Sequence, residues 1–441
     1  MKSQASELLE KIRQQFDSCP YPRTPLEHSP KNDYNSLYIH NLVTPYYLRK
    51  QKFLETKGKV ILDAGCGSGY KSLILAEANP GAKIIGIDIS EESVKLARQR
   101  LKHHGYDNTE FFVLSIDELP KTNWQFDYIN CDELLYLFSD ITLALKAMSM
   151  VLKPDGIIRS NLHSSIQRYR YFCAQQAFKM MGLMDSNPGE LEIEIVQDLM
   201  NALKEKVNLK ATTWNFGYEG EEGKEKILMN YLFQGDKGYT ITDMFTALRA
   251  ANLEFVSMVN WQAWDLMDLF RDPDDLPTFV AMSLPETSIE EQLQLFELIH
   301  PVHRLLDFWC AHPNQVESFV PVAEWTDSDW KEAWVHLHPQ LKTPKFREDL
   351  VACVTEMRTF PLSQHLSLME EFVSIDSAMA LCLIPLLEQP QSITSLVKCW
   401  QQVRPIDPIT LTPTDEEQAF YIVQQLLMRL ESLGYIMLER P

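Results

Sequence analysis

The chain has 441 residues, 45% of them apolar, and a formal net charge of −20. That length predicts two domains or three, and the composition excludes wholesale disorder. The acidic balance argues against nucleic acid or an anionic membrane as a partner, because both draw on clustered Lys and Arg. No apolar run reaches the length of a membrane span, and MKSQASELLEKIRQQF lacks a signal-peptide core. Eight cysteines lie scattered without a C-x-x-C pair. The expectation is therefore a cytoplasmic protein with reduced thiols, no zinc site and no disulfide framework.

In chain order, residues 3–17 have helical spacing, with Leu8, Leu9, Ile12 and Phe16 on one face. Pro20, Pro22, Pro25 and Pro30 then forbid regular structure. Residues 1–32 are thus predicted to be a helix and a proline-rich lid. The stretch NDYNSLYIHNLVTPYY follows, rich in Tyr34, Tyr38, His40, Tyr46 and Tyr47. From 59 to about 160, strand and helix patterns alternate: KVILDAG, YKSLILAEAN, KIIGIDI, a helix capped by Ser90 and ending at Gly105, then TEFFVLSI, FDYINCD and GIIRSNL. Continuous apolar strands alternating with helices predict an α/β fold, a doubly wound and mostly parallel sheet covered on both faces. Residues 161–235 read as helical and rich in Met, and RYRYFCAQQAFKMMGLMD (168–185) is a second lid candidate. LEFVSMVNW and PTFVAMSL read as two final strands. After Pro285 the pattern turns mainly helical, and the domain boundary is placed there: 33–285, then 286–441. Within the latter, 372–441 reads helix, helix, loop, helix, strand, the order of a winged helix. Thr414 and Glu417 are spaced as a capping box.

VILDAGCGSGY, residues 60–70, is the most informative stretch. A phosphate loop would need Lys-Ser/Thr after its last glycine. A dinucleotide loop would need G-x-G-x-x-G, and here Tyr70 stands at the third glycine's place. What remains is D-x-G-x-G-x-G. It resembles the first motif of the class I S-adenosylmethionine-dependent methyltransferases. VLSIDELP, FDYINCDELLYLF and VLKPDGII resemble that family's next motifs in order. The resemblance covers roughly residues 33–285 and is specific from 59 to 160. It implies a Rossmann-like fold and S-adenosylmethionine as cofactor. The loop backbone at Gly65, Cys66 and Gly67, bare at the two glycines, suits the ligand's amino-acid tail and ribose. Asp63 suits its ammonium. Asp88, closing the second strand, suits both ribose hydroxyls. Ile89, Ser115 and Ile116 would flank adenine, with Ser115 where the family commonly has an acid. Asn130, Cys131 and Asp132 would lie beside the transferable methyl.

The sulfonium is an activated leaving group, so alignment dominates catalysis, and a base is needed only for a protonated nucleophile. His163 after the fifth strand, and Tyr38 and His40 in the tyrosine-rich lid, are the candidates on the acceptor side. Met180, Met181 and Met184 are candidate pocket liners. Asp132-Glu133 does not form the N-P-P-Y type of motif that positions an amide or base nitrogen. Residues 285–441 resemble the regulatory domain behind some bacterial methyltransferases. With ten Lys and Arg against 23 Asp and Glu, this half has the wrong sign for phosphate. His300 and His303, and His336 and His338, lack a third ligand nearby, so no metal is expected. The expected acceptor is a small, partly apolar molecule. The C-terminal domain would support a dimer or hold a protein partner. The rival readings are a protein methyltransferase and a regulator that binds the cofactor without turnover.

Overall fold

The computed structural model describes residues 13, 21, 22, 24–218, 220–314, 319–368, 372–406 and 411–440. The helix expected over 3–17 falls almost wholly outside them. Two short helices come first, α1 (Tyr34–Ile39) and α2 (Val43–Lys50). Then β1 (Val60–Ala64), α3 (Tyr70–Ala78), β2 (Lys83–Asp88), α4 (Glu91–His103), β3 (Thr109–Val113), β4 (Phe126–Cys131), α5 (Ile141–Met150) and β5 (Leu152–Ser164) alternate. A helical cap follows: α6 (Tyr169–Met180), α7 (Glu190–Ala202), α8 (Asn208–Thr213) and α9 (Gly220–Tyr231). The chain returns to the sheet through β6 (Gly238–Tyr239), α10 (Ile241–Ala250) and β7 (Glu254–Met258), leaves it for α11 (Thr278–Ser283) and α12 (Ile289–Ile299), and re-enters as β8 (Leu305–Ala311).

The sheet order is β3-β2-β1-β4-β5-β8-β7, with β6 on β5. β1 to β5 are parallel, and β8 runs antiparallel between β5 and β7. The apolar strands are buried on both faces. Leu62, Ile85, Ile129 and Ile158 pack with α5 and α10, while Ile61, Ile84, Tyr128 and Ile157 pack with α3 and α4. Such two-sided burial needs near-continuous apolar runs. Ser90 caps α4 as expected, accepting from Ser93 N at 3.1 Å.

Three expectations need correction. PTFVAMSL is not a strand but the exposed helix α11, which buries no residue. A short apolar run between two prolines fits either state by periodicity, and here it does not pair. The last sheet strand is LLDFWCA, β8, so a boundary at 285 would cut this sheet in two. Met180 and Met181 are exposed, and Met184 sits in the cap's own core with Phe178, Val196 and Tyr231.

The C-terminal region holds α13 (Asp327–Glu332), α14 (Pro344–Thr355), α15 (Ser377–Leu381), α16 (Ile384–Glu388), α17 (Ile393–Val403) and α18 (Glu416–Ser432). They pack on a small antiparallel sheet of β9 (Trp334–Leu337), β10 (Gln391–Ser392) and β11 (Ile436–Glu439), in the order β10-β9-β11. A winged helix closes with a hairpin. Here β11 pairs instead with β9, far upstream, so the likeness stops at the helices. Asp415, not Thr414, is the N-cap of α18, and Thr414 Oγ1 donates to Arg404 O.

Candidate active site

The glycine loop joins β1 to α3. Gly65 N and Cys66 N donate to Ile87 O at 2.8 and 2.9 Å, which ties the loop to β2. Gly67 (φ +49°) and Gly69 (φ +81°) are left-handed, and each is also a close approach. A Cβ on Gly67 would strike the Tyr21 carbonyl, and one on Gly69 would lie 2.6 Å from Ala97 Cα. The loop therefore receives chain on one side while leaving backbone open on the other.

What presses on Gly67 is the proline-rich strap. Ser68 N donates to Tyr21 O at 2.9 Å and Ser68 Oγ to Pro22 O at 2.8 Å. Arg100 of α4 donates to Ser68 O, Thr24 O and Pro25 O at 2.8–2.9 Å. The strap roofs a cavity of about 570 Å³ over the carboxyl ends of the strands.

Gly65, Cys66, Gly67, Asp88, Ile89, Ser115, Ile116 and Asp132 all line this cavity. Asp88 accepts from Gly67 N (3.0 Å) and Ser90 N (2.9 Å), so its carboxylate is fixed by backbone. Asp63 is not on the wall. It is buried beneath the loop, accepting from Ser72 Oγ (2.6 Å) and Asn130 Nδ2 (3.0 Å), and burial pushes its carboxyl up to about 6. Asp132 accepts from Asn161 Nδ2 at 2.6 Å and meets Lys71 Nζ at 2.8 Å and Arg159 at 3.5 Å. Burial pushes its carboxyl up, but Arg159 and Lys71 outweigh that and hold it well below the ordinary carboxylate range. Cys131 is buried at the end of β4, and burial raises its thiol to about 12, as suits a small packing residue.

The three residues expected on the acceptor side are elsewhere. Tyr38 belongs to the C-terminal core, its hydroxyl donating to Gly434 O at 3.3 Å and its ring 4.5 Å from that of His338. His40 lies behind Asp132, with Nδ1 2.8 Å from Ser36 O and Nε2 2.9 Å from Arg159. Burial lowers it to about 4, so it is neutral and both nitrogens are engaged. His163 is a layer behind Tyr136, the rings stacked at 3.8 Å. Its Nδ1 meets Asp236 at 2.6 Å and its Nε2 meets Arg304 at 3.1 Å. Burial lowers it too. Local sequence placed these residues near the right strands but could not say which way they point.

Residues the sequence reading missed also line the cavity: Tyr21, Lys71, Glu133, Leu134, Tyr136, Leu137, Phe138, Met229 and Phe233. Burial, then Glu133, raises the Tyr21 hydroxyl to about 12. The signal for Glu133 to Phe138 was their place directly after β4, where ligands lie in such sheets. Met229 and Phe233 come from the cap, and nothing local marks them.

A family model for a methyltransferase domain matches residues 55–236. The domain is a class I S-adenosylmethionine-dependent methyltransferase. Its similarity to a putative methyltransferase of Bacillus subtilis, YqeM, is 33% identity over 154 residues, 33% of this chain and 60% of that one. A ubiquinone biosynthesis O-methyltransferase of Coxiella burnetii is 31% identical over 144 residues, 32% of this chain and 59% of that one. The chain thus spans about 60% of the length of these relatives. An uncharacterised protein of Synechococcus is 24% identical over 71% of this chain and 73% of its own. In fold, the chain resembles PKMT2 from Rickettsia typhi, with a TM-score of 0.58 and 18% identity over 92% of this chain and 76% of that one. PKMT2 has also been solved with AdoHcy. No described helix of the chain is long and apolar enough to cross a membrane. No described group of His, Cys, Asp and Glu could hold a metal ion.

The residues present fit S-adenosylmethionine. The cavity wall carries a carboxylate fixed by backbone (Asp88), the apolar Ile89 and Ile116, and the cation of Lys71, a donor and acceptor set of the kind that cofactor presents partners for.

Proposed function

We propose that this methyltransferase acts on a small, partly apolar acceptor held in the far half of the cavity. One observation carries the reading. The wall of the cavity is made by the strap, the strand ends and the cap, and no described residue beyond Phe233 contributes to it. A groove for a polypeptide between the two halves would need residues from the C-terminal region. The volume suits the cofactor with a small molecule beside it. The Coxiella relative, named for a step in ubiquinone biosynthesis, supports the same class.

In this reading Asp88 accepts the ribose hydroxyls, Ile89, Ser115 and Ile116 hold adenine, and Gly65, Cys66 and Gly67 lie under the amino-acid tail. Asp63 acts from below, by holding Ser72 and Asn130. Lys71 and Asp132 meet the polar end of the tail. The bound cofactor supplies a methyl group on a sulfonium leaving group. The chain supplies alignment and excludes water with Tyr136, Leu137, Phe138 and Phe233. The C-terminal domain serves as support, and the protein works in the cytoplasm.

The test is incubation of the purified protein with methyl-labelled cofactor and cell extract. Label is expected in the small-molecule fraction. Label confined to protein bands would reject this acceptor class, and label in neither would favour a cofactor-binding regulator.

A further inference from the structure

Four carboxylates line the cavity: Asp88, Asp117, Asp132 and Glu133. Asp88 is tied to the loop amides at the ribose end. Asp117 belongs to the turn after β3, beside the adenine slot. Asp132 is shared among Asn161, Arg159 and Lys71. Glu133 directly precedes the apolar lining residues Leu134, Tyr136, Leu137 and Phe138.

Its backbone is left-handed (φ +54°), a conformation that side chains other than glycine rarely adopt. The surroundings enforce it. Glu133 N donates to Asn161 Oδ1 at 2.8 Å, and Arg304 meets the carboxylate at 2.6 and 3.4 Å. Arg304 comes from the segment before β8. It is steadied by His163 Nε2, and His163 by Asp236. Strained backbone held by several partners is characteristic of functional sites. Beside Glu133, the buried Tyr136 hydroxyl has no hydrogen-bond partner among the described residues.

We propose that Glu133 accepts the proton of the acceptor's nucleophilic atom, with Arg304 as its positioning residue. The acceptor accordingly presents an O–H or N–H. The lone pair of that atom forms the bond to the methyl carbon. The carbon–sulfur bond breaks with its electrons left on sulfur, and the proton passes to a Glu133 carboxylate oxygen and then to water. Arg304 keeps the carboxylate aimed while its other lone pairs remain available. This rests on the methyl-transfer reading above but not on the size of the acceptor.

The test needs no identified acceptor. Sinefungin carries a primary amine where the cofactor carries its methyl, whereas S-adenosylhomocysteine carries nothing there. If Glu133 faces that point, the wild-type protein binds sinefungin roughly tenfold or more tightly than S-adenosylhomocysteine, through a charge-assisted contact. Glu133→Gln removes that preference and leaves S-adenosylhomocysteine affinity within about twofold. Arg304→Met weakens the preference in the same direction, again with S-adenosylhomocysteine unchanged. Glu133→Asp serves if the Gln variant does not fold. Equal losses for both ligands, no change for either, or no preference in the wild type would overturn the assignment. Failure of the wild type to bind S-adenosylhomocysteine would instead overturn the cofactor reading, and this proposal with it.

Discussion

Asp88 holds the glycine loop, and in the proposed reading it holds the ribose as well. Its two oxygens take Gly67 N and Ser90 N, and a carboxylate can accept further bonds from a ribose alongside them. Asp88→Ala is expected to cost on the order of 1.5–3 kcal/mol in cofactor affinity, roughly ten- to hundredfold. Calorimetry with S-adenosylhomocysteine reads this directly, and an unchanged affinity would remove Asp88 from the ribose. Asp63 behaves differently because water never reaches it. Its carboxyl is raised from 3.8 to about 6 in the fold by burial. Its contribution to stability is therefore fully present below about 3.8 and is lost as pH rises through about 6. Two units correspond to about 3 kcal/mol. Urea unfolding should show Asp63→Asn gaining on the wild type by that order between pH 4 and 7.5. A constant difference across that range would contradict a buried, titrating Asp63. At this scale the sequence found the cavity-lining residues whose place is set by backbone. The glycines and Asp88 are fixed by their place at strand ends. Tyr38, His40 and His163 were misread because a ring's direction depends on what it packs against, and those partners (His338, Arg159, Asp236) lie far along the chain.

The strap is the element on which the cavity most depends. Its described residues from 24 to 29 form neither helix nor strand, and they are held by Arg100, whose guanidinium satisfies three carbonyls at once. Arg100→Ala leaves those carbonyls without their donor, at about 1–3 kcal/mol. The expected outcome is weaker binding of S-adenosylhomocysteine by roughly tenfold and faster proteolysis between residues 21 and 30. Wild-type cleavage rates and affinity would show that the strap is held otherwise. Strands β1 and β2 could be read from the sequence because each carries a short apolar run between turn residues, whereas β5 runs over 13 residues from Leu152 to Ser164 and only its GIIRSNL stretch was read as strand. The antiparallel β8 could not be read. LLDFWCA carries Asp307 amid its apolar residues, in a stretch that otherwise reads as helical, and Asp307 is there to meet Arg159 at 2.7 Å.

On the scale of the molecule, α1 and α2 form a wedge between the two halves. Asn41 and Leu42 bond to Ala78 and Asn79 at the end of α3. Thr44 Oγ1 lies 3.0 Å from His338 Nε2, and Tyr47 OH donates to Glu431 at 2.8 Å. The tyrosine-rich segment is thus a joint and not a lid, which explains why its aromatic residues are buried so far from the cavity. The C-terminal half carries a charge balance of −13 from residue 285 onward. Duplex DNA should show no retardation by the full chain in a gel-shift assay, even at low salt. A salt-sensitive complex at micromolar protein would overturn this and favour the regulator reading.

The wedge also imposes an order in time. Tyr47 leaves the ribosome early, yet its partner Glu431 lies 384 residues further on. At 5–20 residues per second, that is roughly 20–80 s of synthesis. During that interval the sheet and the glycine loop can form, while Val43 and Tyr47 still await Met437, the buried neighbour that covers them in the finished chain. A nascent chain stalled before residue 431 would therefore present an assembled cofactor fold with an apolar seam, a natural substrate for a chaperone. Release of the last strand, β11, is the event that closes it.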